Sequence, residues 1–167
     1  MSENANILNN VKLRKAILGD EHAILGLIKE LAEYEREPDA VINTAEQLAI
    51  DLFEDNICDS FVLDLDCKII GFALYYTSYS TWRGRCLYLE DFYIQPEYRR
   101  MGLGKILFDR VVEEANRLGV KRMDWQVLEW NEPAINFYKK SGAILDPEWV
   151  NGRLFFWGGK KIIKLSE

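Results

Sequence analysis

The stretch Leu87 to Lys105, LYLEDFYIQPEYRRMGLGK, holds the residue types best suited to chemistry. An apolar strand breaks at Pro96 and turns through a basic, glycine-containing loop straight into a helix. That layout suits a phosphate, because the first N–H groups of a helix are unpaired, its dipole is positive there, and glycines let an anion approach the main chain. Gly102 and Gly104 bring no side chains to obstruct such a cradle, although Gly-x-Gly before a helix, taken alone, describes first a simple tight turn. On the strand itself, period-two alternation puts Tyr88, Glu90, Phe92 and Ile94 on one face and Leu89, Asp91 and Tyr93 on the other. Glu90 is thus expected among apolar neighbours, where burial would raise its carboxyl pKa and suit it to accept a proton. A carboxylate at a strand end paired with an arginine is the other reading of the same residue, and Asp91 is a second candidate base.

The elements that must position these groups follow from the hydrophobic pattern. Val11 to Ile17 alternates as a short strand, and a helix capped by Asp20 carries Ile24, Leu27, Ile28 and Leu31 on one face, ending before Pro38. Thr44 and Gln47 have capping-box spacing for a second helix to about Glu54. Phe61 to Leu65, Ile69 to Tyr79 and Arg85 to Ile94 then predict three consecutive antiparallel strands, the first two joined by a turn at Asp66-Cys67-Lys68. Leu103, Leu107, Val111, Ala115 and Leu118 form one stripe of a helix over about 102–118, with Gly119 at its C-terminal end. A strand over Arg122 to Leu128, a helix over Pro133 to Lys140 and a strand pair around Arg153 to Leu165 complete an interleaved α+β chain around one mixed sheet. Residues 1–10 are expected to be frayed and 11–167 to form a single domain.

Composition narrows the function. The chain has 167 residues, 49% hydrophobic and 13% aromatic, enough for a core. A net charge of -6 disfavours nucleic acid, whose phosphates need a basic face. The start MSENANILNN has neither the basic residues nor the apolar run of a signal peptide, and no apolar run approaches a membrane span, so the cytosol is expected. Cys58, Cys67 and Cys86 are too few and too widely spaced for a disulfide framework or a metal site, and the lone His22 reads as a surface residue, so no metal is expected.

Arg99 to Gly104 match R-x-x-G-x-G, the pyrophosphate-binding motif of the GNAT acetyltransferases, in the strand-loop-helix context that family requires. LIKELAEYE (Leu27 to Glu35), YSTWRGR (Tyr79 to Arg85), YLED (Tyr88 to Asp91), PEYR (Pro96 to Arg99), WNEPAINFYKKSGA (Trp130 to Ala143) and RLFF (Arg153 to Phe156) extend the likeness. From about Val11 to the C-terminus the chain resembles the diamine acetyltransferase branch, whose members act on spermidine and spermine or on thialysine. The resemblance implies the GNAT fold, a mixed, mostly antiparallel sheet with helices on both faces, and acetyl-CoA as co-substrate.

It also implies roles. Glu90 would serve as base and substrate ligand, and Tyr138 as general acid to the departing thiolate, although helical spacing alone puts Tyr138 on a packing face with Ala134, Phe137 and Ser141. Phe92, Tyr93 and Ile94 would hold the acetyl and pantetheine arm. Arg99, Arg100, Met101, Gly102, Leu103, Gly104 and Lys105 would take the pyrophosphate, and Asn131, Glu132, Pro133 and Ala134 would add a further CoA contact. Arg100 stands where many members have glycine. Tyr34, Glu35 and Trp82 match substrate-binding positions, with Asp91 beside Glu90. Thr81 replaces an aspartate of the polyamine-specific members and Arg83 adds a cation, which favours a short diamine or a lysine-like amino acid such as thialysine over spermidine. Polyamine or protein amines, or a non-catalytic acyl-CoA-binding module, are the alternatives. Homodimers are the rule in the branch and are expected here.

Overall fold

The alternating apolar runs become a five-stranded sheet in the computed structural model of the chain, which describes residues 3–157 and 160–162. Four strands, β1 (Val11–Lys15), β2 (Asp59–Leu65), β3 (Lys68–Ser80) and β4 (Gly84–Ile94), pair antiparallel in that order, and β5 (Met123–Asp124) joins β4 in parallel. Helices α1 (Glu3–Asn10), α2 (Glu21–Tyr34), α3 (Ala45–Ala49, continuing as a π-turn over Ile50–Glu54), α4 (Leu103–Arg117) and α5 (Glu132–Lys140) are interleaved with them. By its contacts the chain divides into two compact units, Met1–Gln126 and Val127–Glu167. The first holds the five-stranded sheet and α1 to α4. The second holds α5 and a two-stranded antiparallel pair, β6 (Phe155–Trp157) and β7 (Lys160–Ile162).

Helices cover both faces of the five-stranded sheet. Ile24 and Leu27 of α2 with Leu48 and Leu52 pack on Val62, Phe72, Leu74 and Tyr93. The opposite face takes α4: Phe108 meets Phe92 edge-on with ring centroids 5.9 Å apart, and Arg110 lies 4.6 Å over the Phe61 ring. Of the stripe expected on α4, Leu103, Leu107, Val111 and Ala115 are buried, the middle two at 0% exposure and each contributing about 1.5–3 kcal/mol, while Leu118 caps the helix half-buried. The turn between β2 and β3 is a two-residue type I′ hairpin, with φ of +50° at Asp66 and +69° at Cys67, and Asp64 accepts a hydrogen bond from the Cys67 N–H (2.9 Å). Thr44 caps α3 through the Gln47 N–H as its spacing predicts. Gly119 has φ +64°, the left-handed residue expected after α4.

Five expectations change. Residues Glu3–Asn10 form a helix instead of a frayed end, with the Asn10 amide donating to Asn6 one turn back (3.2 Å). The first strand stops at Lys15, and the chain turns so that the Ile17 N–H reaches the Asp20 carboxylate (2.9 Å). Asp20 occupies the N-cap of α2 but makes no side-chain cap, because its oxygens are also taken by Arg14 at 2.6 and 3.0 Å. β5 has two residues where Arg122 to Leu128 was expected: its ladder ends at Tyr88 opposite Asp124, and Trp125 turns its ring edge-on to Phe108 (5.8 Å). The C-terminal strand pair is a sheet of its own, with 163–167 outside the described residues.

His22 lies on the surface as expected. The thiol of Cys58 is pushed up to about 11, chiefly by burial, and is therefore inert. No helix among the described residues is long and apolar enough to cross a membrane, and no metal-binding cluster is found among them.

Candidate active site

β4 is where period-two reasoning meets an irregularity. Tyr75 of β3 pairs with Leu89, but its neighbour Leu74 pairs with Asp91, so Glu90 is the extra residue of a β-bulge. Directly opposed residues share a face, and beyond the bulge the alternation is therefore reversed. Asp91 and Tyr93, opposite Leu74 and Phe72, turn to the α2 side along with Tyr88, while Phe92 and Ile94 turn to the α4 side with Leu89. The expectation that Glu90 lies among Phe92 and Ile94 is thus overturned. Glu90 is exposed, and it accepts a hydrogen bond from the Tyr76 hydroxyl (3.3 Å), whose ring stacks on Tyr88 at 5.3 Å.

Asp91 occupies the environment expected for Glu90. Burial, with the charges of Glu90 and Glu35 adding to it, pushes its carboxyl up to about 7. Burial also raises Glu35, just past the end of α2. Glu90 and Glu35 thus both act on Asp91, an arrangement that a cation relieves and that leaves the Asp91 carboxyl titrating near neutrality.

The glycine loop has the form of an anion cradle. Gly102 caps α4 at φ +86°, and a Cβ placed there would meet nothing within 4 Å, so the glycine faces open space. The first helical bond runs from Ile106 N–H to the Gly102 carbonyl (3.2 Å), and the N–H groups of Leu103, Gly104 and Lys105 precede it as the orphan donors of a first turn. Leu103 is 1% exposed and fixes the helix start. These features fit a diphosphate.

The cations are placed differently from expectation. Lys105 pairs with Asp109 one turn along the helix. Arg99 donates through Nε to the Ile94 carbonyl (2.7 Å), and its guanidinium carbon lies 5.3 Å from the Tyr34 ring and 5.1 Å from the Tyr93 ring. Arg100 is exposed and has φ +62°, a left-handed conformation that costs an L-residue roughly 1–2 kcal/mol and explains why glycine suits this position. Replacing Arg100 by Gly is expected to raise stability by about 1 kcal/mol in urea unfolding while weakening CoA binding a few-fold through the lost charge.

Main-chain groups of β4 beyond Tyr88 lie past the end of the β5 ladder, and among the described residues no strand pairs with that edge of Leu89 to Ile94. Among the other expected residues, Tyr34 is the last of α2 and stacks on Arg99. Trp82 is not brought to the carboxylates: it stands on the β3–β4 turn at 82% exposure, with about 20 Å of strand between Gly84 and Glu90.

Within the second unit, Asn131 caps α5, its side chain accepting from the Ala134 N–H (3.3 Å), and Glu132 and Pro133 open the helix. Tyr138 is buried at 6% exposure, with its ring edge-on to Phe137 at 5.4 Å. Sequence reading missed Tyr76 and Glu30. Tyr76 holds Glu90, and Glu30 accepts from the Tyr93 hydroxyl (3.3 Å) and the Gln95 amide (2.9 Å). Glu30 had a signal, since it lies on α2 one turn before Tyr34, whereas Tyr76 depends on the strand register.

Residues 24–143 match the acetyltransferase (GNAT) family. The chain is 41% identical over 120 residues to the thialysine N-epsilon-acetyltransferase of Caenorhabditis elegans, spanning 71% of this chain and 74% of that protein. With the Bos taurus enzyme of the same name identity is 41% over 143 residues, spanning 80% and 84%. Among solved structures, an aminoglycoside acetyltransferase from an uncultured soil metagenomic sample, in complex with trehalose, matches with a TM-score of 0.75 at 20% identity, over 90% of this chain and 99% of that one. At that identity the likeness is one of fold.

Proposed function

The chain belongs to the acetyltransferase (GNAT) family, and from that membership we propose that it carries the acetyl group of acetyl-CoA to a primary amine of a small cationic substrate, a short diamine or lysine-like amino acid such as thialysine. The observation that carries this reading is the pair Glu90 and Asp91 on the strand that leads into the Gly102 cradle, with Glu35 past the end of α2 acting on Asp91. An alkylammonium has a pKa of about 10.4 and no lone pair at neutral pH, so transfer begins with removal of a proton.

Asp91, titrating near neutrality, accepts that proton, while Glu90 and Glu35 hold the cationic substrate. The amine nitrogen then forms its bond to the acetyl carbon, the carbon–sulfur bond breaks, and the thiolate takes a proton from Tyr138. N–H groups from Leu103 to Lys105 hold the diphosphate, and the main chain of Phe92 to Ile94 holds the pantetheine arm. Asn131 to Ala134 add a CoA contact at the start of α5. Asp91 is preferred to Glu90 as proton acceptor because it is half-buried with its carboxyl raised to about 7, whereas Glu90 is exposed.

Arg83 and Thr81 on the β3–β4 turn favour a substrate bearing a carboxylate over a long polyamine. A cytosolic homodimer completes the proposal, supported by the exposed Ile144, Trp149, Val150, Phe155 and Phe156 of the second unit. Acetyl-CoA consumption against thialysine, lysine, short diamines, spermidine, aminoglycosides and a lysine peptide tests the substrate, with thialysine or a short diamine expected to give the highest kcat/KM. Preference for the peptide, or no turnover with any amine despite CoA binding, overturns it. Tyr138→Phe is expected to lower kcat about 10- to 100-fold with CoA affinity retained. A binding module would lose nothing.

A further inference from the structure

Arg99 opens the diphosphate motif, yet its guanidinium is spent elsewhere. It lies against Tyr34, the last residue of α2, and against Tyr93, the residue before the carbonyl that its Nε binds. Both ring distances are within the range of an effective cation–π contact. A positive group at the C-terminal end of α2 also meets the negative end of that helix dipole. Tyr93 is in turn held by Glu30 of α2, which takes the Gln95 amide as well. A closed ring of contacts results, from Glu30 to Tyr93, on to Arg99, and back to α2 at Tyr34, with Gln95 as a further tie to Glu30.

That ring joins two places with different tasks. At one end is the loop from Arg99 to Gly102 that starts the cradle; at the other is the end of α2, where Glu35 follows Tyr34 and acts on Asp91. We propose that Arg99 is a positioning residue that couples the two substrates: it ties the diphosphate loop to the end of α2, so that occupation of the cradle sets Glu35 and Asp91 for the amine. It is not itself a ligand of the phosphates. The inference rests on the acetyltransferase reading above.

Lysine keeps the charge of Arg99 but has neither the flat guanidinium that stacks between two rings nor the Nε donor. The test therefore compares wild type, Arg99→Lys and Arg99→Ala by calorimetry, measuring amine affinity with and without CoA and CoA affinity over a range of salt. Coupling between ligand sites is reciprocal and typically about 5- to 150-fold. Wild type is expected to bind the amine about tenfold tighter with CoA present, and both variants to lose that factor while keeping the wild-type salt dependence of CoA binding. By contrast, Arg100→Ala should flatten the salt dependence and keep the coupling.

Arg99→Lys behaving as wild type, with a flattened salt slope in Arg99→Ala alone, would make Arg99 a phosphate ligand and overturn the proposal. Unchanged coupling in both variants overturns it equally. Failure of wild type to bind CoA at all would instead strike the acetyltransferase reading, so the two failures are distinct. Arg99→Lys carries the test if Arg99→Ala does not fold.

Discussion

Asp91→Asn is expected to lower kcat by about 10²- to 10⁴-fold, the usual contribution of a positioned general base. The amide matches the carboxyl in size but cannot accept the ammonium proton. The wild-type pH profile should rise through about 7, where the Asp91 carboxyl ionises, and that limb should vanish in the variant. Stability is expected to move the other way. The folded pKa, about 7, lies above the ordinary 3.8, so the folded chain holds this proton more tightly than the unfolded one. Its stabilising contribution is complete below about 3.8 and is lost as pH rises through about 7. Above pH 7 the asparagine removes a half-buried charge, and Tm should rise by a few degrees relative to wild type. Should Glu90→Gln erase the limb near 7 while Asp91→Asn retains it, the base is Glu90 and the assignment made from the bulge is wrong.

Gly102→Val is expected to raise the KM for acetyl-CoA by about 10- to 100-fold, equivalent to about 1.4–2.8 kcal/mol, with kcat changed only a few-fold. Two effects combine. The residue has φ +86°, which a β-branched side chain adopts only under strain, and its Cβ would project into space that no protein atom within 4 Å fills. Gly119→Val separates them: it has φ +64° and open space too, but lies past the far end of α4, about 25 Å away. Both variants should melt earlier, and only Gly102→Val should weaken the cofactor. Equal KM effects at the two glycines would mean that strain in α4, and not a filled cradle, governs binding.

Local chemistry was legible wherever a short span of chain decides it. The apolar stripe of α4, the left-handed Gly119 that follows it, the Thr44 cap and the tight turn at Asp66 and Cys67 each depend on residues within a few positions, and the structure has these local features. Asp20 shows the limit. Its type fits a helix cap, yet Arg14 from the preceding strand claims the carboxylate, and Asp64 of a strand far along the chain shares that arginine (3.0 Å). An arginine that the fold turns back onto Asp20 from the preceding strand leaves no mark on the capping pattern. Glu90 shows it again at the site, since period two is a property of a strand alone, and a bulge is a property of the pair.

What the sequence by itself determined is the kind of protein: R-x-x-G-x-G between strand and helix, with YLED before it and the NFY segment after, is enough to place the chain among the acetyltransferases. Which carboxylate turns into the half-buried position and where the motif arginine goes were decided by tertiary structure. Both follow from how β4 registers against β3 and how its end packs on α2. The reason is physical. A phosphate cradle is made from main-chain groups of consecutive residues, whereas the pKa of a carboxyl and the partner of a guanidinium depend on whatever distant segments the fold brings within a few ångströms.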